Sequence, residues 1–340
     1  MKLQEILKYI FSFVLAGLLL WYVLKEQNIQ EVASSFEDLN WGIVFSSILI
    51  SLTSHYIRGL RWGLMLKPLN YKASGPNLFM ATMTGYAGNV IIPRFGEFFR
   101  CGILQKLTKI PAKTSFGAVV AERAIDLVIF IILFSIAFFS QFEKLESMIL
   151  PHVTQNEAEL KDKIYILIII GIVGSAILGV LFKIRKRLFK TPLFRKFYSF
   201  IHGILEGMAG VFKLRSKDLA TYLLYTVLIW ITYFYMCYVL FFAIEGTSHL
   251  STMVGFVMMM MGGLGMVLPT PGGTGSYHFF ATQTLLIYGV TETNAIAFAL
   301  LMHTSQTVSV LTIGGISTLI ANLKKTPENI EQTEKNGIKT

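Results

Sequence analysis

The apolar residues of this chain are gathered into long runs instead of alternating with polar ones. Tyr9 to Leu24, Trp41 to Ile57, Phe116 to Phe139, Ile164 to Phe182, Leu219 to Ala243 and Ala295 to Leu323 are each mostly apolar and near the length needed to cross hydrocarbon. A segment inside lipid must satisfy its own backbone, and for a single run of this length that means helix. The pattern therefore predicts an all-α, polytopic membrane helical bundle with six crossings. Two more apolar stretches are interrupted. Asn77 to Ile92 runs into Pro93 and Gly96, and Met253 to Leu268 is split from Tyr277 to Tyr288 by Pro269-Thr270-Pro271-Gly272-Gly273-Thr274-Gly275. The first is expected to be a re-entrant hairpin; the second is either a hairpin or two crossings.

Between 193 and 214 the pattern changes. Apolar residues at 193, 194, 197, 200, 201, 204, 205, 208, 211 and 212 share one helical face, so this segment is expected to lie along the inner membrane surface. Its neighbours Lys183, Arg185, Lys186, Arg187, Arg195, Lys213 and Arg215 would meet anionic headgroups there, or serve simply as inside-facing loop charges.

Loop charge orients the spans, because Lys and Arg accumulate on the cytoplasmic side. The loop from Lys25 to Asn40 carries one basic and four acidic residues, whereas Arg58 to Lys72 carries four basic and none acidic. The amino terminus is therefore expected inside. Gln141 to Lys163 is again acid-rich, and Lys183 to Asp218 holds ten basic residues against Glu206 and Asp218. Asn77 to Ile92 has basic residues on both flanks, so it should return to the side it left. No Lys or Arg occurs between Asp218 and Lys324, but both ends of that stretch place inside, which puts the carboxyl terminus in the cytoplasm as well.

Composition sharpens the class. At 54% hydrophobic and 15% charged residues, with a mean hydropathy of +0.59, the chain exceeds ordinary globular usage. It reads as one transmembrane domain over 1–323, with a basic cytoplasmic amphipathic segment at 183–218 within it and a polar tail at 324–340, resident in the cell membrane. The first run ends in Trp21-Tyr22-Val23-Leu24 without a small-residue cleavage site and is read as retained. Cys101 and Cys237 are far apart and form no Cys/His cluster, so neither a disulfide nor a metal is expected. There is no P-loop, nothing that asks for a cofactor, and no nucleic-acid motif.

The two interrupted stretches echo each other. Gly85-Tyr86-Ala87-Gly88 precedes Pro93 and Gly96, and Gly262-Gly263-Leu264-Gly265 precedes Pro269, Pro271 and Gly272. Backbone freed by Pro or Gly at membrane depth is tolerated where it is buried in protein or lines a cavity, and such a pair in corresponding halves points to a transport site and an inverted repeat. Ionisable residues cluster at the first interruption and the following helix: Arg94, Glu97 and Arg100, then Glu122, Arg123 and Asp126. An unpaired charge at bilayer centre costs about 2.5–3.5 kcal/mol on insertion scales, so these groups should pair or face water. Glu122 and Asp126 share a helix face, and either carboxylate can pair with an arginine of the first hairpin; Glu97 is expected to pair with Arg123 or to stabilise the turn. Arg94 and Arg100 suit a phosphodiester, since a guanidinium fork matches phosphate oxygens. Arg58 and Arg61, beside Trp62 at the inner end of a crossing, either snorkel to the interface or bind phosphate.

Four motifs in order carry a family resemblance: Arg58-x-x-Arg61-Trp62, Asn89-x-x-x-Pro93-x-x-Gly96-Glu97-x-x-Arg100, Glu122-Arg123-x-x-Asp126, and Pro269-x-Pro271-Gly272-Gly273-x-Gly275. Together they resemble the flippase-like membrane domain of lysylphosphatidylglycerol synthase, the multiple peptide resistance factor. The resemblance implies a lipid translocase whose ligand is an anionic phospholipid, an aminoacylated lipid or a lipid-linked sugar. It also implies, as a partner, a separate lipid-synthesising enzyme, because the tail from Lys324 is too short to bind an aminoacyl-tRNA. The family pattern has Glu shortly after the PGGxG turn and Arg in the next helix; His278 and His303 stand at those places here, and their joint replacement predicts that they face one another. A membrane-embedded transferase with a lipid-linked donor and a secondary transporter of a small solute are the competing classes.

Overall fold

The computed structural model describes residues 3–25, 28–93, 95–141, 211 and 214–324. The expected crossing at 164–182, nearly all of the amphipathic segment, the tail beyond Lys324, and Arg94 lie outside the described residues. Among the described residues there are ten α-helices and no strand, numbered here along the chain: α1 (Leu3–Leu24), α2 (Ile29–Ser34), α3 (Trp41–Leu66), α4 (Gly75–Ile91), α5 (Gly96–Thr108), α6 (Ala112–Ser140), α7 (Ser216–Tyr238), α8 (Thr252–Val267), α9 (Ser276–Ile287) and α10 (Glu292–Leu323). The chain is an all-α membrane bundle. The helical stretches 41–69, 216–243 and 292–323 are long and apolar enough to cross a membrane, while Ile10–Leu24 and Thr252–Val267 are shorter apolar helices. Side chains such as Phe11, Trp21, Leu49, Ile131, Leu223 and Leu319 are turned outward, as a lipid-facing surface requires.

Element ends follow local chemistry. Asn40 accepts from the Ile43 N–H at 3.3 Å and starts α3; Ser251 does the same for Val254 at the head of α8. Asn70 and Lys109 adopt the left-handed conformation and close the turns after α3 and α5.

Two apolar clusters mark the two ends of the bundle. One joins Val23, Leu39, Val44, Phe241, Leu250 and Phe298; the other joins Trp62, Leu78, Leu104, Ile110, Ala118 and Tyr222. Helices α3 and α10 run from the first end to the second, and α6 and α7 run back. The pair α4 and α5 starts and finishes at the second end, and the pair α8 and α9 starts and finishes at the first. The interrupted segments are thus helical hairpins entering from opposite ends.

Each hairpin is closed by small residues. A Cβ on Gly96 would stand 1.9 Å from the Gly85 carbonyl oxygen, so α4 and α5 approach to a distance only glycine allows. The Gly96 N–H donates to Asn89 Oδ1 at 2.8 Å and caps α5 from within the turn. In the second hairpin Gly275 has φ +80° and backs onto the Ala16 carbonyl, so α1 seals that turn. Ser276 Oγ donates to the Gly265 carbonyl at 2.7 Å, and the Thr270 and Ser276 hydroxyls lie 2.6 Å apart. The hairpin tips meet inside the bundle: a Cβ on Gly272, itself at φ +57°, would be 3.4 Å from Val90 Cα.

Candidate functional site

Helix α3 presents Arg58 and Arg61 to the face of α6 that carries Glu122 and Asp126 one turn apart. Arg58 Nε lies 2.8 Å from Glu122 Oε1, and its Nη2 also contacts Asp126. Arg61 Nη2 lies 2.8 Å from Asp126 Oδ1 and 3.4 Å from Glu122 Oε1. Arg100, from α5, reaches Glu122 Oε2 at 3.3 Å and stacks over the Trp62 ring, 4.0 Å from its centroid. Arg58 Nη1 donates to the Tyr233 hydroxyl at 2.7 Å, and Arg61 Nη1 donates to Thr226 at 3.2 Å. Three guanidiniums therefore share two carboxylates and leave one positive charge in surplus.

This corrects the interfacial reading of Arg58 and Arg61. Their side chains are 4% and 0% exposed, not snorkelled, because α6 supplies the counter-charge that makes burial tolerable. Both carboxylates take the arginines of α3, and Glu122 alone also reaches Arg100 of the first hairpin. Glu97 pairs with Arg123 at 3.0 Å in a more open setting, their side chains 23% and 40% exposed.

Beside this cluster lies a cavity of about 710 Å³, bounded by helices α3 to α10 and both hairpin turns. The wall from α3 to α6 brings Ser51, His55, Arg58, Tyr86, Glu97 and Arg123; the wall from α8 is methionine-rich, with Met258, Met259 and Met266. Of the residues singled out from sequence, Arg58, Asn89, Pro93, Glu97, Arg123, Gly272, Gly273 and His303 line it. Arg61, Gly96, Arg100, Glu122, Asp126, Pro271, Gly275 and His278 stand behind that lining as supports. Arg100 in particular is 3% exposed and held between Glu122 and Trp62.

His278 and His303 do face one another, with ring centroids 4.6 Å apart. Their hydrogen bonds go to backbone. The Gly275 N–H donates to His278 Nδ1 at 3.3 Å, and His303 Nε2 donates to the Gly272 carbonyl at 2.9 Å. A carbonyl only accepts and an amide N–H only donates, so the proton sits on Nε2 of His303, and His278 Nδ1 is a lone pair. Gln306 donates to Ser47 on α3 at 3.3 Å.

Sequence reasoning missed Ser51, His55, Tyr86, Trp230 and Tyr233. Ser51, His55 and Arg58 recur at helical spacing on one face of an otherwise apolar run, and that was the available signal. His55 Nε2 lies 3.3 Å from Ser51 Oγ, and its ring is 4.5 Å from Tyr86.

Similar proteins include the UPF0104 membrane protein MJ1595 of Methanocaldococcus jannaschii, 31% identical over 147 residues, which are 41% of this chain and 42% of that protein. Glycosyltransferase AglD of Haloferax volcanii is 24% identical over 318 residues, 86% of this chain and 50% of that protein. In both cases the match spans half or less of the relative's length. No solved structure matches the chain. The model of one family, the lysylphosphatidylglycerol synthase TM region, matches residues 9–314 and takes in the arginines of α3, both hairpins and the two histidines: the chain belongs to that family.

Proposed function

We propose that this protein is a lipid translocase that moves a phosphate-containing lipid between leaflets through the cavity between its two hairpins. The observation that carries the reading is the cavity's make-up: a cationic wall bearing Arg58 and Arg123, with surplus positive charge behind it, opposite apolar Met-rich helix surface. A phosphate fits the first and an acyl or polyprenyl chain the second.

The topology follows from loop charge combined with the bundle's two ends. The basic residues of 58–72 and of the α5–α6 connection favour a cytoplasmic base for the first hairpin, and the second hairpin would then enter from outside. Helices α8 and α9, at 16 and 12 residues, rise about 24 and 18 Å, short of the roughly 30 Å of hydrocarbon, which favours a hairpin over two crossings. In this reading the chain is multi-pass in the cell membrane with both termini cytoplasmic. Its partners in this reading are membrane lipids.

The glycosyltransferase relative supports a transferase as a second reading. Glu97 is the one carboxylate lining the cavity among the described residues, and it is held by Arg123, which suits a counter-ion better than a general base. Reconstitution into vesicles with acyl-labelled phospholipid, read by chemical quenching of the outer leaflet, tests the proposal. Protein-dependent movement lost in Arg58→Ala supports it; quenching equal to protein-free vesicles for every phosphate lipid tried ends it.

A further inference from the structure

The side chains lining the cavity among the described residues that carry a charge are Arg58, Glu97 and Arg123, leaving aside its neutral histidines, tyrosines and Cys237. Glu97 is taken by Arg123, and the carboxylates behind Arg58 are shared among three guanidiniums. An ammonium group entering here meets no free carboxylate and a surplus of positive charge, so it would be desolvated without a counter-ion. Aromatic rings alone can hold an ammonium, but Tyr233 already accepts from Arg58, which brings a positive charge to the aromatic side of the cavity.

The residues lining the cavity carry neutral hydrogen-bonding groups in excess, buried within its wall. His55 Nδ1, Tyr86 Oη, Trp230 Nε1 and Gln306 Oε1 belong to lining residues, are closed off from water, and have no hydrogen-bond partner. Such groups are costly when left unpaired, and four around one cavity call for a ligand that completes them. The set mixes an indole donor, an amide acceptor, a hydroxyl and an imidazole nitrogen. A group that both donates and accepts at several points satisfies it; a plain phosphate, which mainly accepts, does not.

We propose that the lipid accepted here carries an uncharged, hydroxyl-bearing headgroup on its phosphate, glycosyl or glycerol, and not a cationic aminoacyl or choline one. Arg58 and Arg123 take the phosphate, and the His55, Tyr86, Trp230 and Gln306 set takes the hydroxyls after small side-chain rotations. The inference rests on the lipid-binding reading above and narrows it.

The test uses the full-length purified protein with four lipids, phosphatidylglycerol, a polyprenyl-phosphate hexose, lysyl-phosphatidylglycerol and phosphatidylcholine, in two assays: competitive binding in detergent and translocation in vesicles. At least one of the first two should exceed both cationic-headgroup lipids by about tenfold in both assays, and which of them does distinguishes glycerol from sugar. Lysyl-phosphatidylglycerol or phosphatidylcholine binding as tightly overturns the headgroup inference and leaves translocation standing. The expected binding order with no movement of any lipid overturns translocation and leaves the headgroup inference standing. With phosphatidic acid added as a reference lipid that lacks a headgroup, Trp230→Phe, which removes the indole N–H, and Gln306→Leu should each cut the preference for the hydroxyl headgroup over phosphatidic acid about fivefold, one hydrogen bond's worth. An unchanged preference in both variants overturns the assignment of these groups.

Discussion

Replacing Glu122 by Gln keeps the shape of the side chain and removes its charge, and the buried cluster makes the consequence calculable. Arg58, Arg61 and Arg100 converge on a carboxylate that is 0% exposed, at 2.8, 3.4 and 3.3 Å. After the substitution they have only Asp126, and the surplus of buried positive charge rises from one to two. Removing one partner of a buried ion pair costs about 3–5 kcal/mol, because the remaining charge is left uncompensated. The three-way contact puts Glu122→Gln in the upper part of that range. The assay is reversible unfolding in mixed micelles, followed by tryptophan fluorescence. Arg100→Met keeps much of the stem against Trp62 and removes the guanidinium, so Glu122→Gln/Arg100→Met restores the surplus of one. The double mutant should therefore be more stable than the sum of the single losses by about 2 kcal/mol. Stability of Glu122→Gln within about 0.5 kcal/mol of wild type, or strict additivity in the cycle, refutes the charge-balance argument.

Gly96→Ala should abolish folding, because its Cβ would overlap the Gly85 carbonyl, whereas Gly102→Ala in the same helix meets nothing within 4 Å and should be neutral to stabilising; recovery of monodisperse protein in detergent decides between them. Single cysteines at Lys72 and Lys109, in a background lacking Cys101 and Cys237, should both be labelled only from the cytoplasmic side; opposite-face labelling would remove the first re-entrant hairpin. Arg58→Lys should lower translocation at least tenfold, since one ammonium cannot reproduce the fork that spans Glu122, Asp126 and Tyr233; wild-type transport rates would rule this out. His278→Glu alone should destabilise the second hairpin, and adding His303→Arg should recover most of the loss; a double mutant no better than the single contradicts the pairing.

The helices among the described residues were legible because lipid imposes length and apolarity on a span, and the first hairpin because its flanks are both basic; the second stayed open between a hairpin and two crossings because no Lys or Arg flanks it. The Glu97–Arg123 pair and the facing histidines were legible from spacing and from joint substitution. What failed at Arg58 and Arg61 was depth. A cation near the end of an apolar run looks the same whether it reaches for water or for a carboxylate, and the difference lies in where α6 is placed by its packing on α3 and α8. Arg100 failed similarly: its neighbours Phe98, Phe99 and Cys101 say nothing of Trp62, which is brought in by a helix whose sequence lies nearly forty residues earlier. Ser51 and His55 were readable at helical spacing, but one His in an apolar run is more often a packing residue, and only the cavity distinguishes the two.

The echo between the two hairpins is a repetition of physics more than of residues. Each turn frees the first amide of its second helix, and each satisfies it from a side chain: Asn89 accepts from Gly96 in the first, His278 from Gly275 in the second. His278 occupies the third helical position, where the acceptor of a capping box belongs, so a Glu there in the family pattern would do the same work. On the other side, His303 Nε2 donates to the Gly272 carbonyl, a bond that an Arg would also supply. The pair of histidines therefore supplies two backbone connections, one capping α9 and one holding the tip against α10, without the opposite charges of the resembled family pattern at a site where His278 is 4% exposed. Charge at the polar end of the cavity is thereby left to the arginines of α3 and α6, so the same substitutions that preserve the hairpin concentrate the electrostatics of the cavity on Arg58 and Arg123.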